Sequence, residues 1–287
     1  METVAITGSY GYVGSIIARS LERQMRVIGL VRHPKSDLDL EWSFNSQQLL
    51  TDKLRQREVK VLIHVAWDMK ASSMEELESI CVEGSGRLFS AAVDAGVKRI
   101  VFISTISSFE GCRSAYGRSK LAVEALLPAS VPGVVLRLGL VFGENSGGMF
   151  GSIRQQVMRS SLLPMIGRGI APQYLLHENT LAEAVLGAAR GDYDRLERRP
   201  ITLAHPRPIA FRDLVRRIAG RERRRVTLVP VPWQLLYAGA RAAEMLKIRA
   251  PFRSDSIVSF VNYNRNPDFG VMQGLGIKPK ELDPEAD

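Results

Sequence analysis

Short apolar runs alternate along the chain with segments in which apolar residues recur every three or four positions. Five apolar runs stand out, at 3–7, 26–31, 59–66, 98–105 and 133–143. After the first run, Val13, Ile16 and Leu21 recur at helical spacing, and helix-length segments follow around 45–57, 75–95 and 116–130. Strands that are apolar on both faces are typical of a parallel sheet covered by helices on each side. The pattern predicts an α/β fold with a doubly wound parallel sheet.

The alternation weakens after residue 143. A glycine-rich stretch covers 143–152, and further elements follow it: helices at 180–190, 211–220 and 233–246, and strands at 200–204 and 226–232. We therefore predict a Rossmann domain over 1–143, rejoined by 178–204, and a smaller mixed C-terminal substrate lobe over 144–177 and 205–287. The apolar helix that begins at Trp233 is interpreted as part of the lobe's core, with contact to a membrane surface as the alternative.

Charge and cysteine content narrow the functional classes. The 39 Lys and Arg exceed the 30 Asp and Glu by nine, and arginines crowd between 216 and 225. Such a patch attracts nucleic acid, anionic lipid or a phosphorylated small molecule, or it is a solvated helix end. No nucleic-acid-binding motif accompanies it, so no nucleic acid is expected. Two cysteines, no secretion signal and no apolar run of roughly 20 residues favour a cytoplasmic protein without a transmembrane segment.

The first candidate site is the stretch TGSYGYVGS, residues 7–15, which spaces Gly8, Gly11 and Gly14 three apart. It follows a predicted strand and opens a predicted helix. Glycine lets the backbone turn sharply and approach a pyrophosphate, and the start of a helix presents free N–H groups. The stretch therefore predicts a site for the diphosphate of a dinucleotide.

Four further segments complete a family pattern: GVKRIVFIST (96–105), YGRSKLAVE (116–124), VVLRLGLVFG (134–143) and HENTLAEAV (177–185). With the glycine turn they resemble the short-chain dehydrogenase/reductase superfamily, in particular its extended branch of NAD(P)-dependent nucleotide-sugar epimerases and dehydratases. The resemblance covers nearly the whole chain. It implies a cofactor site formed by Gly8, Gly11, Tyr12, Val13, Gly14, Val65, Ala66, Ser104, Leu138, Tyr116 and Lys120.

The end of the second strand bears on which dinucleotide is bound. A carboxylate about twenty residues beyond the glycines would hold the ribose hydroxyls of NAD, but Arg32 occupies this position, with His33 and Lys35 close behind. A guanidinium can hold a 2′-phosphate through two parallel hydrogen bonds. The sequence thus favours NADP, with NAD as the alternative.

The expected catalytic group is a tyrosine. Tyr116 and Lys120 stand four apart on a predicted helix and share one face. A neighbouring ammonium favours the phenolate, so Lys120 together with a cationic nicotinamide is expected to lower the pKa of Tyr116, which then serves as general acid or base. The resemblance implies a third partner, the hydroxyl of Thr105, with Ser104 and Ser107 as substitutes.

Two positions depart from the family's usual pattern. Cys81 stands where an asparagine often lies, and Leu138 stands where a proline is usual after the arginine of the fifth strand. The loop between Thr105 and Tyr116 is also short for the extended branch. These departures concern the geometry of the substrate site rather than that of the cofactor site.

The leading hypothesis is an NADP-dependent reductase or epimerase of a nucleotide-sugar, in which hydride moves between nicotinamide and a sugar carbon. Arg154 and Arg168 are candidates to meet the substrate's diphosphate, and the stretch 143–152 is a candidate flap. Alternatives are reduction of a lipid or polyketide carbonyl, and a non-catalytic dinucleotide sensor. The resemblance also implies a homodimer through the helices at 75–95 and 116–130.

Overall fold

A parallel sheet of seven strands forms the centre of the molecule. The computed structural model describes residues 1–45, 50–68, 73–144, 146–196, 198–246, 248 and 253–282. Parts of the predicted helix at 45–57, of the glycine-rich stretch and of the chain after Met245 lie outside these residues.

The strands are β1 (Thr3–Thr7), β2 (Arg26–Val31), β3 (Leu40–Glu41), β4 (Val59–His64), β5 (Arg99–Thr105), β6 (Gly133–Leu138), β7 (Leu140–Phe142), β8 (Leu162–Ile166), β9 (Pro172–Gln173), β10 (Leu175–His177), β11 (Ile201–Leu203), β12 (Ile209–Ala210) and β13 (Thr227–Val231).

The helices are α1 (Tyr12–Leu21), α2 (Leu50–Gln56), α3 (Met74–Leu77), α4 (Glu83–Asp94), α5 (Ala115–Ala125), α6 (Gly148–Arg159), α7 (Glu178–Arg190), α8 (Phe211–Arg221), α9 (Trp233–Met245), α10 (Ser254–Val261) and α11 (Gly270–Gly274), with a π-helical segment at Glu78–Val82.

The main sheet has the strand order β11-β6-β5-β4-β1-β2-β3, and all its pairings are parallel. The doubly wound parallel sheet predicted from the apolar runs is therefore confirmed. The direction of winding reverses at β1, which lies between β2 and β4. Open parallel sheets bind their ligands at such a reversal, beyond the carboxyl ends of the strands.

Both faces of the sheet are buried, as the uniformly apolar strands predict. Alternate side chains of β5 enter opposite cores: Val101 and Ile103 pack with α1 and α7, whereas Ile100 and Phe102 pack with α2, α4 and α5. At about 25 cal/mol per Å² of buried apolar surface, these two cores supply the main stabilisation of the sheet.

A third core lies in the rear of the chain. It joins α6 and α8 through residues such as Phe150, Val157, Leu214 and Ile218. Three two-stranded sheets accompany it, β10 with β7, β12 with β9 and β13 with β8. The chain then returns to the main sheet, because Met272 of α11 belongs to the core formed with α1 and α7. The segment 205–287, predicted as lobe, thus includes a helix that packs with the main sheet.

Three predicted elements differ from the structure. The run 133–143 divides at Gly139, where a Cβ would overlap the Tyr174 carbonyl oxygen, and β7 pairs with β10 instead of the main sheet. The predicted helix at 75–95 is interrupted by the π-helical segment. The glycine-rich stretch predicted as a flap contains the first turn of α6, which begins at Gly148.

The helix α9 also differs from expectation. The sequence favours a place in the lobe's core, yet Ala240 is the only one of its residues that is buried. None of the helices in the described part of the chain is both long and apolar enough to cross a membrane.

Candidate active site

The glycine turn between β1 and α1 is tightly packed against the loop that follows β4. Gly8 has a φ of +67°, which favours glycine, and a Cβ there would lie 3.1 Å from the Ala66 Cα. A Cβ on Gly14 would lie 2.1 Å from the Gly8 carbonyl oxygen. The turn thus brings the start of α1 beside Ala66, and side chains at Gly8 and Gly14 would prevent it.

The first amides of α1 are not capped by any side chain. Gly11 is the N-cap residue and makes no side-chain hydrogen bond to the helix. At the start of α5, by contrast, Asp255 accepts from the amides of Ala115 and Tyr116 (2.7 and 3.0 Å), and Ser114 Oγ accepts from Gly117 N (3.1 Å). Free amides at a helix start form an anion site, so α1 rather than α5 can hold a diphosphate.

A buried hydrogen-bonded chain fixes the loop after β4. Thr7 Oγ1 accepts from the amides of Val65 and Ala66 (2.9 and 3.0 Å) and lies 2.8 Å from His64 Nδ1. His64 Nε2 lies 2.8 Å from Ser85 Oγ, which itself donates to the Cys81 carbonyl. The hydroxyl protons of Thr7 and Ser85 are thereby assigned, so His64 accepts at Nδ1 and donates from Nε2–H.

Burial, followed by the charge of Lys120, lowers the pKa of His64 well below its ordinary range. A neutral imidazole with one proton, on Nε2, fits this hydrogen-bonding pattern. The loop that the resemblance implies as cofactor lining is therefore held rigidly from beneath.

Ser9 Oγ, in the glycine turn, and Trp67 Nε1, directly after Ala66, are buried and have no hydrogen-bond partner among the residues that the structure describes. Buried polar atoms are ordinarily hydrogen-bonded, so such orphans indicate a ligand. Together with the glycine cradle and the uncapped start of α1, they fit a bound dinucleotide. Among the described residues, no group of His, Cys, Asp or Glu side chains could hold a metal ion.

The structure brings the three predicted catalytic side chains together. Tyr116 shares a side-chain hydrogen bond with Thr105, at the carboxyl end of β5. Lys120 donates from Nζ to the Ile103 carbonyl oxygen (2.8 Å), and the same Nζ lies 4.0 Å from the centre of the Trp67 ring. Trp67 in turn lies edge-on to Tyr116, with ring centres 6.1 Å apart.

Burial governs the protonation of this cluster in the protein alone. Burial raises the pKa of Tyr116 to about 12, against a lowering contribution from the Thr105 hydrogen bond. Burial also lowers the pKa of Lys120 to about 7. Burial is the largest cause of the Tyr116 shift, and Lys120 is not among its causes. The lowering expected from Lys120 together with a cationic nicotinamide therefore stays a prediction for the protein with its cofactor bound. The chain by itself holds Tyr116 as the neutral phenol, ready to donate a proton.

Cys81 lies in the same surroundings. Its thiol is buried, accepts a hydrogen bond from the Asp68 amide (3.4 Å) and interacts electrostatically with Lys120. Burial raises the pKa of Cys81 to about 11, so the thiol stays neutral at physiological pH. Cys81 is thus an uncharged, buried neighbour of Lys120.

Several predicted residues are placed elsewhere. Ser104 is buried and donates to Glu124 (2.5 Å), which is also paired with Arg137, so its hydroxyl is not available to a ligand. The side chain of Leu138 is part of the core. Ser107 contacts Thr105 through its amide (3.2 Å). Ser104 and Leu138 are therefore expected to contact a cofactor only through their backbone atoms.

A carboxylate that the sequence spacing did not indicate, that of Asp39, lies near Arg32, where the adenosine part of the dinucleotide is expected. Arg32 is exposed just beyond β2. Asp39 approaches the same region, because a Cβ on Gly29 of β2 would meet both its carboxylate and Ser9 Oγ. One Asp39 oxygen already accepts from Tyr10 Oη (2.6 Å) and from the amides of Lys35 and Ser36 (2.8 and 3.0 Å).

The remaining predicted residues lie at two places. Val13 packs against the core, and the ring of Tyr12 packs against Gly147, which joins the segment before α6 to the glycine turn. Of the arginines expected to meet a diphosphate, Arg154 is ion-paired with Glu222 and Arg168 is exposed.

Besides Asp39, the sequence analysis missed Trp67 and Asp255. Trp67 ends the motif HVAW, and its contact with Lys120 could have been suspected from that position. Asp255 lies about 140 residues from the helix that it caps, and no local pattern indicates it.

Comparison with known proteins identifies the family of the chain. The NAD dependent epimerase/dehydratase family matches residues 4–194. UDP-glucose 4-epimerase of Vibrio cholerae is 24% identical over 264 residues, which cover 82% of this chain and 78% of that protein. Ceramide reductase of Caulobacter vibrioides is 31% identical over 174 residues, covering 58% of this chain and 54% of that protein.

Among solved structures, the UDP-glucose 4-epimerase of Thermus thermophilus in complex with NAD is similar, with a TM-score of 0.73 and 19% identity. The match covers 99% of this chain and 96% of the epimerase. At this identity the likeness supports the fold.

Proposed function

The chain belongs to the NAD dependent epimerase/dehydratase family, and from that premise we propose that it is a nucleotide-sugar epimerase or reductase with Tyr116 as its general acid and base. The observation that carries the proposal is the meeting of Tyr116, Thr105 and Lys120 beside the glycine turn. The similarity to a UDP-glucose 4-epimerase over 82% of the chain supports the nucleotide-sugar as substrate. Because the family is one of enzymes, a non-catalytic sensor is disfavoured.

The dinucleotide supplies hydride acceptance and donation when bound, and the protein groups handle the proton. Tyr116, kept neutral by burial, is placed to protonate the oxygen of a substrate carbonyl as hydride arrives at carbon. In the reverse direction it accepts the proton of the carbinol. The Thr105 hydroxyl, hydrogen-bonded to Tyr116, is positioned to orient the same oxygen.

Lys120 can place a positive charge close to the Tyr116 hydroxyl. With a pKa of about 7, its ammonium can be present or absent at physiological pH. When charged, it favours the phenolate that remains after proton donation. By the family resemblance it also contacts the ribose of the nicotinamide.

The test is a turnover assay of the purified chain with UDP- and dTDP-sugars, with each dinucleotide in oxidised and reduced form, followed by product analysis by NMR. We expect conversion of at least one nucleotide-sugar. Tight dinucleotide binding without conversion of any nucleotide-sugar would contradict the proposal.

We propose NADP as the preferred dinucleotide. Arg32 is exposed where it can meet a 2′-phosphate, and Asp39 is partly engaged by Tyr10 and two amides. Arg32→Asp should weaken NADPH binding at least tenfold with little change for NADH, since a hydrogen bond to a charged group contributes roughly 1.5–3 kcal/mol. Arg26→Asp, at the far end of β2, is the matched control. Equal loss for both dinucleotides, or no loss, would contradict the phosphate role.

A second candidate is reduction of a lipid carbonyl by the same residues. The 31% identity to a ceramide reductase favours it over a polyketide substrate. Thermal stabilisation by nucleotide-sugars supports the first function, and turnover of a long-chain ketone without any effect of nucleotides supports the second.

We further propose a homodimer through α4 and α5, where Leu126 leaves a large apolar side chain 42% exposed. A reducing compartment also remains a prediction, based on the two free cysteines, Cys81 and Cys112.

A further inference from the structure

The outward face of α9 is apolar. Leu235 and Met245 are 65% and 79% exposed, and Leu246 directly after the helix is 69% exposed. Between them the small residues Ala238 and Ala242 are also exposed. We call these five residues the α9 face. A helix on the surface of a globular protein ordinarily directs its polar side outward, so this arrangement is the reverse of the usual one.

Carboxylates are excluded from the α9 face. Glu244 is the only acidic residue of α9, and its oxygens accept from the amide and the hydroxyl of Ser254 (2.9 and 2.8 Å). Arg241 is the only basic residue of the helix and contacts Glu244. The α9 face is therefore apolar and contains no carboxylate.

The rear of the chain also concentrates the exposed apolar residues. Among the described residues, thirteen large apolar side chains are exposed, and nine of them lie between Met149 and Ile248. Five of the nine, Trp233, Leu235, Met245, Leu246 and Ile248, lie in α9 or just after it. Contiguous exposed apolar surface marks an interaction site, whereas single exposed apolar residues are normal.

The net charge is confined to the same part of the sequence. Residues 207–265 contain thirteen of the 39 Lys and Arg but only four of the 30 Asp and Glu, a net charge of +9. The rest of the chain contains 26 of each and is neutral. Five exposed arginines, Arg216, Arg217, Arg223, Arg224 and Arg225, form what we call the arginine cluster.

The arginine cluster and α9 are close along the chain. Arg225 and Trp233 are eight positions apart, a segment that spans at most about 28 Å when fully extended. The strand β13 connects them. A membrane surface wider than this distance can therefore contact the arginine cluster and α9 at the same time.

We propose that α9 and the arginine cluster dock this protein onto an anionic membrane surface, with the α9 face at the level of the acyl chains. An apolar helix beside basic side chains is the combination that binds an anionic bilayer interface. A second copy of the chain would bring another +9 region against the first. Nucleic acid would match the arginines but offers no partner for the α9 face. The inference is independent of the proposed substrate.

The experiment is flotation of the full chain with vesicles of phosphatidylcholine containing about 30% phosphatidylglycerol, against vesicles of phosphatidylcholine alone. We expect binding to the anionic vesicles that weakens as salt rises from about 0.1 to 0.5 M. We also expect a blue shift of tryptophan fluorescence on binding, which Trp233→Phe abolishes.

Two groups of variants separate the contributions. Leu235→Ser with Leu246→Ser, and Arg223→Gln with Arg224→Gln and Arg225→Gln, should each weaken vesicle binding about tenfold or more. All of these residues are exposed, so the fold should tolerate the changes. Leu38→Ser, and Arg23→Gln with Arg26→Gln and Lys98→Gln, are matched controls in the neutral part of the chain and should bind as the original does.

Three results would overturn the proposal. One is failure to bind anionic vesicles. Another is binding that survives the serine changes, since this is adsorption by charge alone. The third is a concentration-dependent oligomer, or a complex with a generic duplex DNA, that the same variants abolish while vesicle binding is absent.

Discussion

At the scale of single residues, the site combines a phenol that resists deprotonation with an amine that resists protonation. Both effects have one cause, the removal of Tyr116 and Lys120 from water. The protein groups therefore favour the uncharged form of each.

Replacing Tyr116 tests its role directly. Tyr116→Phe removes the proton donor while keeping the ring against Trp67, so we expect turnover to fall about a hundredfold or more. Dinucleotide affinity, measured by fluorescence titration, should change little. Tyr237→Phe, in α9, is the control. Retention of substantial turnover in Tyr116→Phe would mean that another group moves the proton.

The pKa of Lys120 makes a prediction about stability. It is lowered from 10.5 to about 7 in the folded chain, so between these values the unfolded chain binds more protons. The free energy of unfolding should therefore rise with pH across this window, by up to about 1.4 kcal/mol per pH unit.

Urea unfolding at several pH values between about 7 and 10 measures this slope. The slope should be smaller in Lys120→Met and unchanged in Lys98→Met, which alters an exposed lysine. Equal slopes in the original chain and Lys120→Met would contradict the low pKa.

At the scale of elements, the start of α1 depends on the absence of side chains. Gly14→Ala would place a Cβ against the Gly8 carbonyl oxygen, which is backbone and cannot rotate away. We expect a loss of about 2 kcal/mol or more in the free energy of unfolding, and loss of dinucleotide binding. Gly220→Ala is the control, because nothing lies within 4 Å of its Cβ position in α8. That change should be neutral or stabilise by about 0.5–1 kcal/mol.

The main sheet and its helices could be predicted because both sheet faces are buried, so apolar runs mark the strands directly. The division at Gly139 could not, because β6 and β7 form one continuous apolar run in the sequence. The four-residue spacing paired Tyr116 with Lys120, the family resemblance implied Thr105 as their partner, and the structure brings the three together. The spacing did not indicate the hydrogen bond from Ser104 to Glu124, since the direction of a strand-end hydroxyl depends on the register of β5 with β6.

At the scale of the whole molecule, the rear of the chain holds the catalytic helix in place. Asp255 of α10 binds the first two amides of α5, including that of Tyr116 itself, and Asn262 accepts from the Arg113 amide (2.7 Å). A shift in α10 would therefore move the proton donor. Local sequence patterns could not reveal this contact, because its two ends are about 140 residues apart.

We expect Asp255→Ala to lower kcat about tenfold and to leave dinucleotide affinity unchanged, since a small displacement of a catalytic group is costly. Asp255→Asn retains one acceptor and should recover part of the loss. Asp268→Ala removes a local turn contact in the same region and is the control. A fall in stability with unchanged kcat would assign Asp255 a purely structural role.

The contact between Asp255 and α5 also has a consequence for synthesis on the ribosome. At about 5–20 residues per second, roughly 7–28 seconds separate the emergence of α5 from that of its carboxylate cap. During that interval the start of α5 can be capped by Ser114 but not yet by Asp255. The cap of the helix that carries Tyr116 is therefore completed only after residue 255 has been made, and a nascent chain halted before that point lacks the carboxylate that binds the Tyr116 amide.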